Sequence, residues 1–207
     1  MRLFALARPA RMVLAALLVF PAAVPLAQAA DDARASEIFQ AQCAICHGPD
    51  GESSTDVFPR LAAQHAGYVA RQLEDFQTGR RKSAVMSSLV RQLSPAEMQA
   101  IGRWLESRPV RAHEVLDPAL AARGRGVYRD GIPAKGVPAC WKCHGEAGEG
   151  TDTLPRVGGQ HAQYLENQLR AFGKRERTND SMVMQTIAVR IGEDELRAVS
   201  SYISGLK

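Results

Sequence analysis

Two pentapeptides carry most of the chemistry in this chain, Cys43-Ala-Ile-Cys46-His47 and Cys140-Trp141-Lys142-Cys143-His144. Each reads Cys-x-x-Cys-His, in which two thiols add to the vinyl groups of a porphyrin and the adjoining imidazole reaches its iron. The pattern implies two covalently bound haem c groups. Cys43, Cys46, Cys140 and Cys143 would be the attachment points, and His47 and His144 the proximal ligands. A zinc ribbon or a thioredoxin-like pair also uses Cys-x-x-Cys, but neither requires a His directly after the second Cys. Ribbons place ~15–20 residues between their pairs, whereas 93 residues lie between Cys46 and Cys140. The chain has 4 cysteines, and two haems would consume them all.

The sixth iron position decides what such haems can do. Met86 and Met184 lie 39 and 40 residues after His47 and His144, followed by the matching stretches Met86-Ser-Ser-Leu-Val and Met184-Gln-Thr-Ile-Ala. They are the expected sixth ligands, with Met182 as the rival in the second half. A lone Met more often fills a core gap, but duplicated placement argues for ligation. His65 and His161 would instead make bis-His haems, yet both stand at a helix start where capping, a propionate contact or exposure is expected, and His113 is expected to be solvated. A thioether ligand favours ferrous iron. Two closed, six-coordinate haems have no free position for a substrate, so the expectation is electron transfer, not an enzyme.

The elements that must position these residues come in duplicate. Phe58-Pro-Arg-Leu-Ala-Ala-Gln-His65 recurs as Leu154-Pro-Arg-Val-Gly-Gly-Gln-His161, and Tyr68, Leu73 and Phe76 recur as Tyr164, Leu169 and Phe172, all 96 residues on. Met98, Ile101, Trp104 and Leu105 recur as Leu196, Val199, Tyr202 and Ile203 at an offset of 98. The periodicity is helical throughout, with no convincing alternation of period two, so the expected class is all-α. A first helix should run up to each Cys motif (33–43 and 118–129), with Phe39 and Tyr128 on its inner face. A middle helix should follow Gln64 and Gln160, and a last helix should open on the capping box Ser94-Pro95-Ala96-Glu97, with Gly205 closing its counterpart. The second half inserts a Gly/Pro-rich loop from Asp130 to Pro138. About 90 residues per half is little chain for a core, and a covalent haem supplies apolar mass.

Residues 1–29 hold Arg2, Arg8 and Arg11, then an apolar run from Met12 to Phe20, then Ala27-Gln28-Ala29, the form of a secretory leader cleaved near Ala29. The run is shorter than the roughly 20 residues that span a bilayer. The expected location is the periplasm. The expected division is 1–29 leader, 30–107 first domain, 108–117 linker and 118–207 second domain. Without the leader, 23 basic residues face 22 acidic ones, so nothing points to a nucleic-acid partner.

Taken together, the haem motifs, Pro-Arg-Leu/Val with Gln-His-x-x-Tyr in both halves, Gly136-Val-Pro-Ala-Cys140 and Arg177-Thr-Asn-Asp180 resemble the cytochrome c4 family. These are soluble or membrane-associated dihaem proteins built as a tandem pair of class I cytochrome c domains, each wrapped around one haem. The resemblance implies electron carriage from a quinol-oxidising complex to a terminal oxidase, with peripheral membrane association open to it. An alternative is the dihaem electron-accepting subunit of a periplasmic dehydrogenase such as a sulfide-oxidising flavocytochrome. It further implies that Pro59 and Pro155 offer their carbonyls to the proximal imidazoles, that Arg60 and Arg156 neutralise propionates, and that Tyr68 and Tyr164 bond a propionate or pack on the porphyrin. Trp141 is expected to be exposed near the haem edge as part of a docking patch. The first half departs from the pattern, because Arg80 to Met86 lacks the Asn-Asp pair and is two residues shorter than its counterpart.

Overall fold

The computed structural model describes residues 26–207, with the side chains described from residue 31 onward. Most of the proposed leader, residues 1–25, lies outside the described residues. The helices are α1 (Leu26–Ile38), α2 (Ala44–His47), α3 (Ala66–Gln77), α4 (Ala84–Leu89) and α5 (Pro95–Glu106) in the first half. The second half holds α6 (Pro118–Asp130), α7 (Trp141–His144), α8 (Ala162–Gly173), α9 (Val183–Ala188) and α10 (Glu193–Ser204). Among the described residues the only β pairing is an isolated bridge between Ile132 and Val137, in keeping with an all-α fold. None of their helices is long and apolar enough to cross a membrane.

Each half has its own core. In the first, α5 packs on α1 and α3, burying Ala35, Ile38, Phe39, Val69, Ala100, Ile101 and Leu105. In the second, α10 packs on α6 and α8, burying Tyr128, Leu165, Val199 and Ile203. The α6/α10 crossing is close because Gly124 has no side chain; a Cβ there would sit 1.9 Å from the carbonyl oxygen of Ala198. The helix starts follow the sequence. Ser94 and Glu97 form the full capping box of α5, Pro95 takes its first position, and Asp117 caps α6 through the Leu120 N–H. Gly205 does end α10, but with a right-handed φ of −96° in place of a left-handed cap.

The two first helices reach their Cys motifs differently. α1 passes into a π turn, Phe39–Cys43, that runs without a break into α2, so the expected single helix to Cys43 is instead two α segments joined by a wider turn. In the second half the inserted residues loop out through a 3-10 turn, Pro133–Lys135, pinned by the Ile132–Val137 bridge. The Cys140 N–H then bonds the Tyr128 carbonyl at 3.0 Å, which stacks the second motif back on the end of α6.

Candidate functional site

Each motif is a single helical turn, α2 or α7, closed by a glycine directly after the His. Gly48 and Gly145 have φ of 79° and 81°, a region that penalises a Cβ. A Cβ on Gly48 would also meet the Glu52 carbonyl oxygen at 2.3 Å. The sharp exit folds the next segment back over the imidazole. There His47 Nδ1 lies 2.9 Å from the Pro59 carbonyl and His144 Nδ1 lies 3.1 Å from that of Pro155. A carbonyl only accepts, so Nδ1 carries the proton and Nε2 keeps its lone pair. Burial pushes both imidazoles below their ordinary range, against the raising effect of the Pro carbonyls. Both rings therefore stay neutral and able to bind a metal over a wider pH span.

The thiols are unpaired, with Cys43, Cys46 and Cys140 half-buried and Cys143 exposed. The first Cys of each pair packs on its core, and burial, with the second Cys nearby, pushes Cys43 up to about 11. Burial does the same at Cys140, also to about 11. Among the described residues no three His, Cys, Asp or Glu side chains converge as a metal-ion site requires, so the two Cys pairs do not meet in a shared zinc ribbon.

Met86 and Met184 lie in the first turns of α4 and α9 and are both half-buried. Ser83 accepts the Met86 N–H at 3.2 Å, and Asp180 accepts those of Met184 and Gln185. The shorter first loop thus replaces the Asp cap with a Ser cap. Met182 sits outside the turn with φ 70° and is 59% exposed, a poor position for a core ligand.

The polar groups also fit a haem. Arg60 Nε and Arg156 Nη1 are buried without a hydrogen-bond partner. Buried guanidinium nitrogens need acceptors, and haem propionates are acceptors of the right charge. Burial pulls both arginines below their usual range, opposed by Glu52 at Arg60 and by Glu149 at Arg156. The two arginines line one small cavity between the halves, of about 20 Å³, together with Gln64, Gln160, Glu52 and His113.

The halves face each other with approximate two-fold symmetry. Gln64 bonds the backbone of Arg156 and Gln160 that of Arg60. His65 Nε2 donates to the Glu149 carbonyl (2.7 Å) and His161 Nε2 to the Ser53 carbonyl (3.0 Å). These histidines stand at the N-caps of α3 and α8 without capping them; their Nε2 atoms bind the opposite half, while His65 Nδ1 lies 3.4 Å from Glu106 of its own half. Below them Arg81 donates to Tyr164 and Gln168, while Arg177 donates to Tyr68, Gln72 and Gln168. Burial alone would raise the Tyr164 phenol, but Arg81 and Arg177 hold it below its usual range.

Several expectations are corrected here. Tyr68 and Tyr164 turn their hydroxyls to an arginine of the other half. Trp141 is half-buried, packs against the second core and donates Nε1 to the Arg129 carbonyl at 2.9 Å, so its indole is held against the core and is not the freely exposed group expected. His113 lies 3.2 Å from Glu52, with 20% of its side chain exposed. Sequence reasoning passed over Gln72, Gln168 and Arg81, and noted Arg177 only as part of a motif without a role. The signal was present, because both pairs keep the 96-residue offset.

Two family models match the chain: "Cytochrome C oxidase, cbb3-type, subunit III" over residues 30–105 and "Cytochrome c" over residues 121–207. Cytochrome c4 of Pseudomonas aeruginosa is 38% identical over 198 residues, covering 94% of this chain and 98% of that protein. The crystal structure of reduced recombinant cytochrome c4 from Pseudomonas stutzeri superposes with a TM-score of 0.80 at 35% identity, covering 87% of this chain and 98% of that one. A thiosulfate dehydrogenase electron acceptor of Stutzerimonas stutzeri is 37% identical over 176 residues, 79% of this chain and 78% of that protein.

Proposed function

Because this chain belongs to the cytochrome c4 family of dihaem electron-transfer proteins, we propose that it works in the periplasm, taking electrons one at a time from a quinol-oxidising complex and passing them to a terminal oxidase. The reading includes removal of residues 1–29 near Ala29 and the division into a first domain (30–107), a linker (108–117) and a second domain (118–207). When bound, each haem supplies a one-electron Fe(III)/Fe(II) couple. In this reading Cys43 and Cys46, and Cys140 and Cys143, hold the porphyrins by thioether bonds, and His47 and His144 present Nε2 to the irons.

The observation that carries the reading is the duplicated His–Pro pair, in which His47 and His144 each have Nδ1 committed to a carbonyl. Such an outer bond fixes the ring and its tautomer and raises its basicity as a ligand. Met86 and Met184 would be the second protein ligands of the two irons; a thioether there would raise the potential relative to a second imidazole and leave no position for a substrate. Arg60 and Arg156, whose buried guanidinium nitrogens lack acceptors, would bond the haem propionates and keep their charge tolerable in a poorly hydrated place.

A second reading is favoured by one observation, the likeness to a protein described as a thiosulfate dehydrogenase electron acceptor. In that reading the donor is a periplasmic dehydrogenase bound to this chain. One experiment separates them. The purified ferrous protein is mixed with membranes of its source, and oxidation of its haem band is followed together with oxygen uptake. Rapid oxidation that stops when a terminal oxidase is inhibited supports the carrier. Stable copurification with a catalytic subunit, with no oxidation by membranes, supports the dehydrogenase partner.

A further inference from the structure

The contacts between the halves depart from symmetry at one pair. Asp75, near the end of α3, is 3% exposed, and the residue 96 positions on is Ala171. Asn179 belongs to the two-residue extension before Met184 that the first half lacks. These two residues, each without a counterpart in the repeat, meet across the interface with Asn179 Nδ2 2.6 Å from Asp75 Oδ2. Asn179 also donates to Gln72 Oε1 at 3.0 Å, and Arg80 Nε holds Asp75 Oδ1 at 2.6 Å.

We propose that Asp75, in the first domain, is a positioning residue for Met184 in the second. The inference rests on Met184 being the sixth ligand of the second haem. The linkage is short and polar. Asp75 fixes Asn179; the next residue, Asp180, accepts the backbone N–H groups of Met184 and Gln185 and so sets the first turn of α9. The left-handed residues Ser181 and Met182, with φ of 55° and 70°, make this loop costly to hold without an outside anchor. A carboxylate that is buried and fully bonded is a rigid anchor.

The Met86 loop is built otherwise. Ser83 caps it locally, and Ser87 ties α4 to the Phe76 carbonyl within the same domain. Its neighbour Arg81 bonds the Asp75 backbone carbonyl, a contact that survives any side-chain change at Asp75. Through Asn179 the anchor acts on the Met184 loop; because the Asp75 carboxylate also holds Arg80 at the start of the first loop, Asn179→Ala is the variant that disturbs the second loop alone.

The test uses the holoprotein and proton NMR of the reduced form, in which an iron-bound Met methyl is shifted far upfield. Met86→Ala and Met184→Ala assign the two signals. Asn179→Ala, which leaves the Arg80–Asp75 pair whole, should shift or broaden the Met184 signal while the Met86 signal stays put, and Asp75→Ala, which also frees Arg80, should disturb the Met184 signal more than the Met86 signal. The near-infrared Met–iron band of the oxidised protein should fall by up to about half. Asp75→Asn, which keeps an acceptor oxygen, should restore the Met184 signal. If Asp75→Ala fails to fold, Asn179→Ala carries the test. An unchanged Met184 signal in Asn179→Ala, or equal disturbance of both signals, would overturn the inference. If Met184→Ala leaves both signals in place, the ligand assignment itself fails and takes the inference with it.

Discussion

Gln64 and Gln160 are exchanged between the two halves. Gln64 donates to the Arg156 carbonyl at 2.9 Å and accepts the Arg156 N–H at 2.8 Å; Gln160 does the same to Arg60, at 2.8 and 2.9 Å. Each amide thereby completes the backbone of the residue that follows a haem-side proline in the opposite domain. Both glutamines are buried. Domain contact and the backbone beside the two His–Pro pairs are one structure.

Gln64→Ala should therefore leave a half-buried N–H and carbonyl at Arg156 unpaired and cost about 1–3 kcal/mol, with the same expected for Gln160→Ala at Arg60. Calorimetry should show a lower melting temperature for each single variant. In the double variant the transition should broaden or split as the domains begin to melt separately.

Replacing the proposed sixth ligands one at a time should remove one Met–iron band each. Met86→Ala and Met184→Ala should each halve the near-infrared absorbance of the oxidised protein and lower one midpoint potential. Met182→Ala, at a position 59% exposed, should leave both bands intact. Loss of a band in Met182→Ala with none in Met184→Ala would reverse the assignment.

The two halves divide differently between what could and could not be read from residues alone. The haem motifs, the repeat, the capping box at Ser94 and the Met pair are local patterns, set by spacing along one segment. The roles of His65, His161, Tyr68 and Tyr164 were not legible, because their partners lie 83 to 109 residues away and no periodicity encodes such a contact. A constant offset marks a residue as duplicated without saying whether it serves its own domain or the other. Trp141 was misplaced for a related reason, since its place between two cysteines hid the Arg129 carbonyl that draws the indole inward.

Acid should weaken the domain contact through His161. Burial, then Arg60, lowers its imidazole below the usual range, outweighing the raising effects of the Ser53 carbonyl and Asp56. The folded state thus binds fewer protons than the unfolded one. The contribution is present above about 6.5 and is lost as pH falls through the depressed folded value. Glu52 runs the other way, because burial raises its carboxyl despite Arg60 and Arg111, so its contribution is present at low pH and fades as pH rises through the acid range. Melting curves between pH 5 and 8 should show a fall in stability on the acid side of neutrality, and His161→Gln should flatten it.

Arg60→Gln should lower the potential of the first haem by on the order of tens of millivolts, since removing a positive charge beside a haem favours Fe(III). Arg156→Gln should do the same to the second. Spectroelectrochemistry at fixed ionic strength would read both, and unchanged potentials would place these guanidiniums away from the haems.

The most direct measurement is an optical redox titration of the purified mature protein, following the haem bands and the weak near-infrared Met–iron band. Two low-spin, high-potential haems, both with the Met band when oxidised, are expected of a dihaem carrier closed to substrate. One haem that is high-spin, low in potential or without the band would contradict it and point to an open iron with chemistry of its own.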